Sequence, residues 1–207
     1  EQRKAAETWC TDKHPFNPTL GPIIKSAKQS KIRIGYYSAD FHNHATTQLM
    51  AELFEKHDKN HFELIGFSFG PDKKDAMRER VTQAFDQFID VTSISDESVA
   101  LMSRELGIDI AVDLKGLTQD ARLGIFSFIA APIQVSHLGF PGSMGTEYVD
   151  YIIADEHLLP ASSAKYYTEK IAYVPCGNTY DRQRQLSAQP LSRIRAGLPE
   201  KGFVFTC

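Results

Sequence analysis

The sequence predicts a doubly wound α/β domain, a mostly parallel sheet with helices on both faces. Three observations lead there. Strand-like and helix-like segments alternate from Lys31 to about Asn178, the pattern of repeated βαβ units. The strand candidates include short, nearly continuous apolar runs such as "IDIAVDL", as strands covered on both faces require. Glycine and proline fall between the segments, at Gly70-Pro71, Gly107 and Pro132, where the chain must break its regular structure.

Each element has its own signal. Residues 1–30 read as a peripheral lead-in: a short helix to about Trp9, then "HPFNPTLGP", which forbids regular structure. "KIRIGYYS" is the first strand. "TTQLMAELFEKHD" sets Leu49, Met50, Leu53 and Phe54 on one helical face, with Thr46 or Thr47 as cap. "FELIGFSFG" is a strand. "KKDAMRERVTQAF" spaces Met77, Val81, Ala84 and Phe85 as a helix does. "QFIDVT" is a short strand, and "SDESVALMSREL" a helix capped by Ser95 and closed by Gly107. "IDIAVDL" follows as a strand, "DARLGIFSFI" as a helix and "PIQVSHLGF" as a strand. "VDYIIAD" and "KIAYVPC" are two more strands with a helical turn near Tyr166. Residues 31–178 then make one Rossmann-like unit. Residues 179–207 read as a polar linker, and "FVFTC" as the first strand of a further domain.

Composition narrows the function. A formal net charge of −3 over 207 residues gives no electrostatic argument for nucleic acid or an anionic membrane as partner. No apolar run approaches the ~20 residues of a membrane helix, and the polar opening "EQRKAAETWC" does not resemble a signal peptide. Cys10, Cys176 and Cys207 are widely spaced and odd in number, which suits reduced thiols in a cytoplasmic protein.

The corner after the first strand, "SADFHNHATTQLM", is where a doubly wound sheet holds ligands. It contains no glycine, so the dinucleotide fingerprint is missing. Asp40, His42 and His44 alternate and could share a face as metal ligands. Alternatively, His42 is a surface residue, Asp40 a turn former and His44 a histidine bonded into the helix start. Three further loops follow strands: "VDLKGLTQDAR" with Asp113, Lys115, Gly116 and Thr118; "SHLGFPGSMG" with Gly139, Pro141 and Gly142; and "PCGNTYD". The glycines allow either a tight turn or close approach of backbone to a ligand.

The ordered set "IGYYSADFHNH", "DLKGLTQDAR", "HLGFPGSMGTEYVDYIIAD" and "YYTEKIAYVP" resembles the catalytic region of the O-linked N-acetylglucosamine transferases over about residues 31–207. The resemblance implies the N-terminal half of a GT-B fold, with tetratricopeptide repeats upstream and a second Rossmann-like half downstream. It implies inverting transfer from UDP-N-acetylglucosamine to Ser or Thr of an acceptor protein, with no metal cofactor, in the cytoplasm or nucleocytoplasm. By matching motifs, His44 takes the place of the family's active-site histidine and Asp113 lies near the acceptor. Gly139, Pro141 and Gly142 match the loop near the donor sugar, and Thr118 matches a loop threonine. Lys115 joins them as a candidate substrate-binding residue. His42 stands where relatives often carry glycine and reads as an exposed neighbour of His44. Two other readings stay open: a non-catalytic scaffold, and a metal-dependent hydrolase using Asp40, His42 and His44.

Overall fold

The computed structural model describes residues 1–24, 30–176, 181–183, 189 and 191–205. Seven strands form one sheet in the order β3-β2-β1-β4-β5-β6-β7, every neighbouring pair parallel. They are β1 (Ile32–Ser38), β2 (Phe62–Ser68), β3 (Gln87–Asp90), β4 (Ile110–Asp113), β5 (Ile133–Ser136), β6 (Tyr151–Ala154) and β7 (Lys170–Tyr173). The order reverses between β1 and β4. That switch point opens a crevice at the carboxyl ends of the two strands.

Alternation along the strands divides the core. Ile34 and Tyr36 of β1 pack with Leu64, Val112 and Val135 beneath helices α2 (Ala45–Lys56) and α3 (Ala76–Ala84). Tyr37, Ile65, Phe67 and Ala111 face the opposite side, beneath α4 (Asp96–Glu105). Tyr37 and Phe67 stack with ring centroids 4.4 Å apart, and the Tyr37 hydroxyl donates to Ser103 of α4 at 2.5 Å. Both faces are therefore covered, as predicted. Ser95 caps α4 by accepting from Ser98 N–H, and Gly107 follows the helix at φ 64°.

Four expectations change. The first helix, α1 (Gln2–Lys13), is longer than predicted and is not peripheral. Ala6 and Cys10 are buried, and Cys10 Sγ donates to the Met144 carbonyl at 3.1 Å. The side-chain amide of Gln2 donates to the Ser143 carbonyl and accepts from Ser143 N–H, and the Tyr148 hydroxyl donates to the His14 carbonyl. Second, the cap of α2 is His44, whereas Thr46 and Thr47 are buried. Third, the helix predicted over "DARLGIFSFI" shrinks to α5 (Gly124–Ser127). Arg122 explains the loss. Its guanidinium donates to the Val91 and Ile94 carbonyls and to Asp96, which pins the chain before α5 to the start of α4. Fourth, Phe203–Phe205 form no strand; the remainder of "FVFTC" and most of "PCGNTYD" lie outside the described residues.

Asp181 to Gln183 return to the outer side of α2 and α3. Arg80 of α3 bridges Glu55 of α2 and Asp181, at 2.6 Å and 2.5 Å. Arg182 donates from its backbone and guanidinium to the buried Glu52 of α2.

Candidate active site at the switch point

The loops after β1, β4 and β5 leave adjacent strands, each ~4.8 Å from the next, so their first residues share one crevice. After β1 the chain turns sharply. Ser38 Oγ accepts from Asp40 N–H at 2.9 Å, and Thr47 Oγ1 donates to the Asp40 carbonyl. Arg78 of α3 supports the same turn through the Phe41 carbonyl at 3.2 Å. These bonds deliver His44 to the N-terminus of α2. Its Nδ1 accepts from Thr46 N–H at 3.2 Å, satisfying one orphan donor of the helix. With Nδ1 so engaged, the neutral ring carries its proton on Nε2. The His44 side chain is 42% exposed, so this Nε2–H can reach a ligand.

Of the two histidines, His44 is bonded into the helix start, as one of its two readings had it, and His42 departs from expectation. His42 is buried and not an exposed neighbour, and its Nδ1 has no hydrogen-bond partner. Burial, then the nearby Lys73, holds its pKa below the ordinary histidine value. The two rings lie 5.7 Å apart.

Asp113 ends β4 and is buried. Its carboxylate accepts from Lys115 N–H at 2.9 Å and Gly116 N–H at 3.0 Å. Those bonds and the Lys115 charge favour ionisation, yet burial outweighs them and pushes the carboxyl up to about 6. Lys115 is itself buried, and its Nζ donates to Asp40 Oδ2 at 2.8 Å. Thr118 Oγ1 closes the loop on the Lys115 carbonyl at 2.8 Å.

The β5 loop locks onto the β4 loop. A Cβ at Gly139 would sit 2.1 Å from the Leu114 carbonyl oxygen, so only glycine permits the approach. Gly116, at φ 57°, faces Phe140 in the same way. Pro141 is exposed, and its carbonyl accepts from the Tyr167 hydroxyl at 2.7 Å. Gly142 lies against Gln2 of α1. His44, Asp113, Lys115 and Gly139 thus gather at the switch point, while Pro141 and Gly142 turn toward Tyr167 and α1. Sequence reading missed the bond from Lys115 to Asp40, which lie 75 residues apart. It also missed His137, which follows β5, is buried and leaves Nδ1 without a partner.

Asp40, His42 and His44 offer no shared metal centre. The lysine ammonium occupies Asp40 Oδ2, and the Nδ1 atom of His44 is taken by the helix start. Among the described residues no group of three His, Cys, Asp or Glu side chains is placed to hold a metal ion. No helix among them is long and apolar enough to cross a membrane.

Fold and site together define an α/β domain that presents polar side chains at the topological switch point of a parallel sheet. The chain belongs to glycosyl transferase family 41, whose model matches residues 10–187. It is 34% identical over 200 residues to an Arabidopsis thaliana protein named "Probable UDP-N-acetylglucosamine--peptide N-acetylglucosaminyltransferase SEC", covering 93% of this chain and 20% of the relative. It is 35% identical over 146 residues to the Caenorhabditis elegans "UDP-N-acetylglucosamine--peptide N-acetylglucosaminyltransferase", covering 70% of this chain and 13% of the relative. Among solved structures it superposes on an O-GlcNAc transferase mutant from Thermobaculum terrenum with a TM-score of 0.74 and 28% identity. That match covers 85% of this chain and 34% of the other. The chain therefore spans a fifth or less of these two curated relatives and about a third of the solved one.

Proposed function

We propose that this chain is the N-terminal, Rossmann-like part of the catalytic region of a protein O-GlcNAc transferase. The reaction is inverting transfer of N-acetylglucosamine from UDP-N-acetylglucosamine to a Ser or Thr hydroxyl of an acceptor protein. A second Rossmann-like half would close the crevice and supply most contacts to the nucleotide. Tetratricopeptide repeats upstream would present the acceptor, and the cytoplasm is the expected compartment. The observation that carries this reading is His44. It stands at the switch point on a helix N-terminus, with one nitrogen fixed by backbone and a side chain that is 42% exposed.

Chemistry at such a crevice must stabilise negative charge growing on the leaving phosphate as the acceptor hydroxyl attacks. In the tautomer described above, His44 donates from Nε2–H. It therefore serves as a hydrogen-bond donor to donor-sugar or phosphate oxygen, and not as the proton acceptor. The N-terminus of α2 adds partial positive charge at the same place. Asp113 holds the turn that carries Lys115 and Thr118, and by the family motif it belongs to the acceptor side. Gly139 lies at the sugar end of the crevice, and Pro141 and Gly142, turned toward Tyr167 and α1, support that loop from behind. No step in this scheme calls for a metal.

The test is transfer to a peptide by the complete enzyme. His44→Ala should cost at least ~10²-fold in kcat/KM, or ~2.7 kcal/mol of transition-state stabilisation, whereas His42→Ala should cost less than ~3-fold. EDTA should leave the rate unchanged. Full transfer by His44→Ala would remove the assignment and leave a scaffold role for this corner. A rate abolished by EDTA and restored by zinc would favour the hydrolase-type metal reading.

A further inference from the structure

Lys115 has an unusual position for a substrate-binding lysine. Its side chain is 7% exposed, and its ammonium is bonded to a carboxylate that is itself 10% exposed. A buried lysine is costly unless paired, and here the partner is Asp40. The same oxygen, Asp40 Oδ2, lies 3.5 Å from His44 Nδ1, beyond a good hydrogen bond. Nδ1 instead accepts from Thr46 N–H at 3.2 Å. Two arrangements therefore compete at one nitrogen. In one, Nδ1 is a bare acceptor that caps α2, and Nε2 bears the proton. In the other, Nδ1 is protonated and donates to Asp40, and Nε2 becomes a base. The carboxylate decides between them, and Lys115 holds the carboxylate.

We infer that Lys115 is a positioning residue. By neutralising and orienting Asp40, it keeps His44 in the Nε2–H tautomer and so makes it a donor toward the crevice. The proton count balances without any further group: one proton resides on the neutral ring, and Lys115 selects the nitrogen that bears it. This deepens the reading above, which left Lys115 among the substrate contacts.

The experiment reads the ring nitrogens of His44 by NMR in the 207-residue chain at neutral pH, with no substrate. The unsubstituted protein should show a protonated Nε2 and a bare Nδ1. Asp40→Asn should keep that pattern. Lys115→Met should reverse it, with the proton moving to Nδ1 or the ring becoming doubly protonated, and Thr46 N–H should lose hydrogen-exchange protection. Asp40→Asn combined with Lys115→Met should restore the original pattern, because the competing carboxylate is gone. Lys115→Arg, which retains the charge, should also resemble the unsubstituted protein. A purely structural lysine would destabilise the fold without moving the proton. A folded Lys115→Met chain with unchanged His44 nitrogens would overturn the inference. So would a protonated Nδ1 in the unsubstituted protein, a result that stands even if Lys115→Met does not fold. Because transfer is never measured, loss of the glycosyltransferase reading and loss of this inference are separate outcomes.

Discussion

Asp113→Asn isolates the charge on the floor of the crevice while changing its shape very little. The carboxyl is buried, and its ordinary value of 3.8 is pushed up to about 6 in the folded chain. Between those two values the folded protein retains a proton that the unfolded chain has released. The unfolded state then binds fewer protons, so stability falls as pH rises from about 4 to about 6 and levels off above that. At about 1.4 kcal/mol per tenfold change in acidity, the full effect is ~3 kcal/mol. Other carboxylates run the opposite way. Asp75, Asp90 and Asp181 are held below the ordinary range, chiefly by Asn43 N–H, Thr92 N–H and the Arg80 side chain respectively. Their contributions are present above the unfolded value and are lost on acidification. A difference between two proteins cancels them. Urea unfolding of the unsubstituted chain and of Asp113→Asn should be followed from about pH 4 to about pH 7. Asparagine can accept only one of the two backbone N–H groups well, so the variant should be the less stable near pH 4. It should then gain roughly 3 kcal/mol on the unsubstituted chain by pH 7. Two curves that stay parallel within ~0.5 kcal/mol would show that the Asp113 charge carries no folding cost and that burial does not disfavour its ionised form.

Two further outcomes follow from the same geometry. His44→Ala removes the cap of α2 and should cost ~1 kcal/mol in urea unfolding, whereas His44→Asn should recover most of it; equal losses would mean that the ring does not cap. A Cβ at Gly142 would meet the Gln2 amide and the Phe140 ring, each at 2.8 Å, so Gly142→Val should destabilise the chain by more than ~1 kcal/mol. Adding Gln2→Ala should recover part of that loss in a double-mutant cycle. Strict additivity would mean that α1 is not what the glycine accommodates.

What the sequence made legible was local. β1, α2, β2 and α4 each declare themselves by apolar spacing and a flanking signal, and Ser95 and Gly107 mark both ends of α4 as their chemistry demands. The site was legible as a set of loops, because loops after parallel strands must face one end of the sheet. Its internal wiring was not. Asp40 reads as a turn residue until Lys115, 75 positions away, is seen to bond to it. His42 was misread for a related reason: alternation along a chain does not say which ring will be covered, and it is His42 that is buried. Likewise "DARLGIFSFI" has the apolar spacing of a helix, yet Arg122 binds to Val91, Ile94 and Asp96 and holds the chain before α5 out of the helix. Long-range polar bonds leave no period behind them.

The clamp on the outer side of α2 has a mechanical meaning. Twelve residues make α2 a rod ~18 Å long. One end of that rod is the imidazole of His44. Toward the other, Glu52 and Glu55 grip the chain at Asp181 and Arg182, directly or through Arg80. A tug on the segment around Asp181 is thus delivered to the shaft of a lever whose tip lies in the crevice, and it bypasses the edge strand β7.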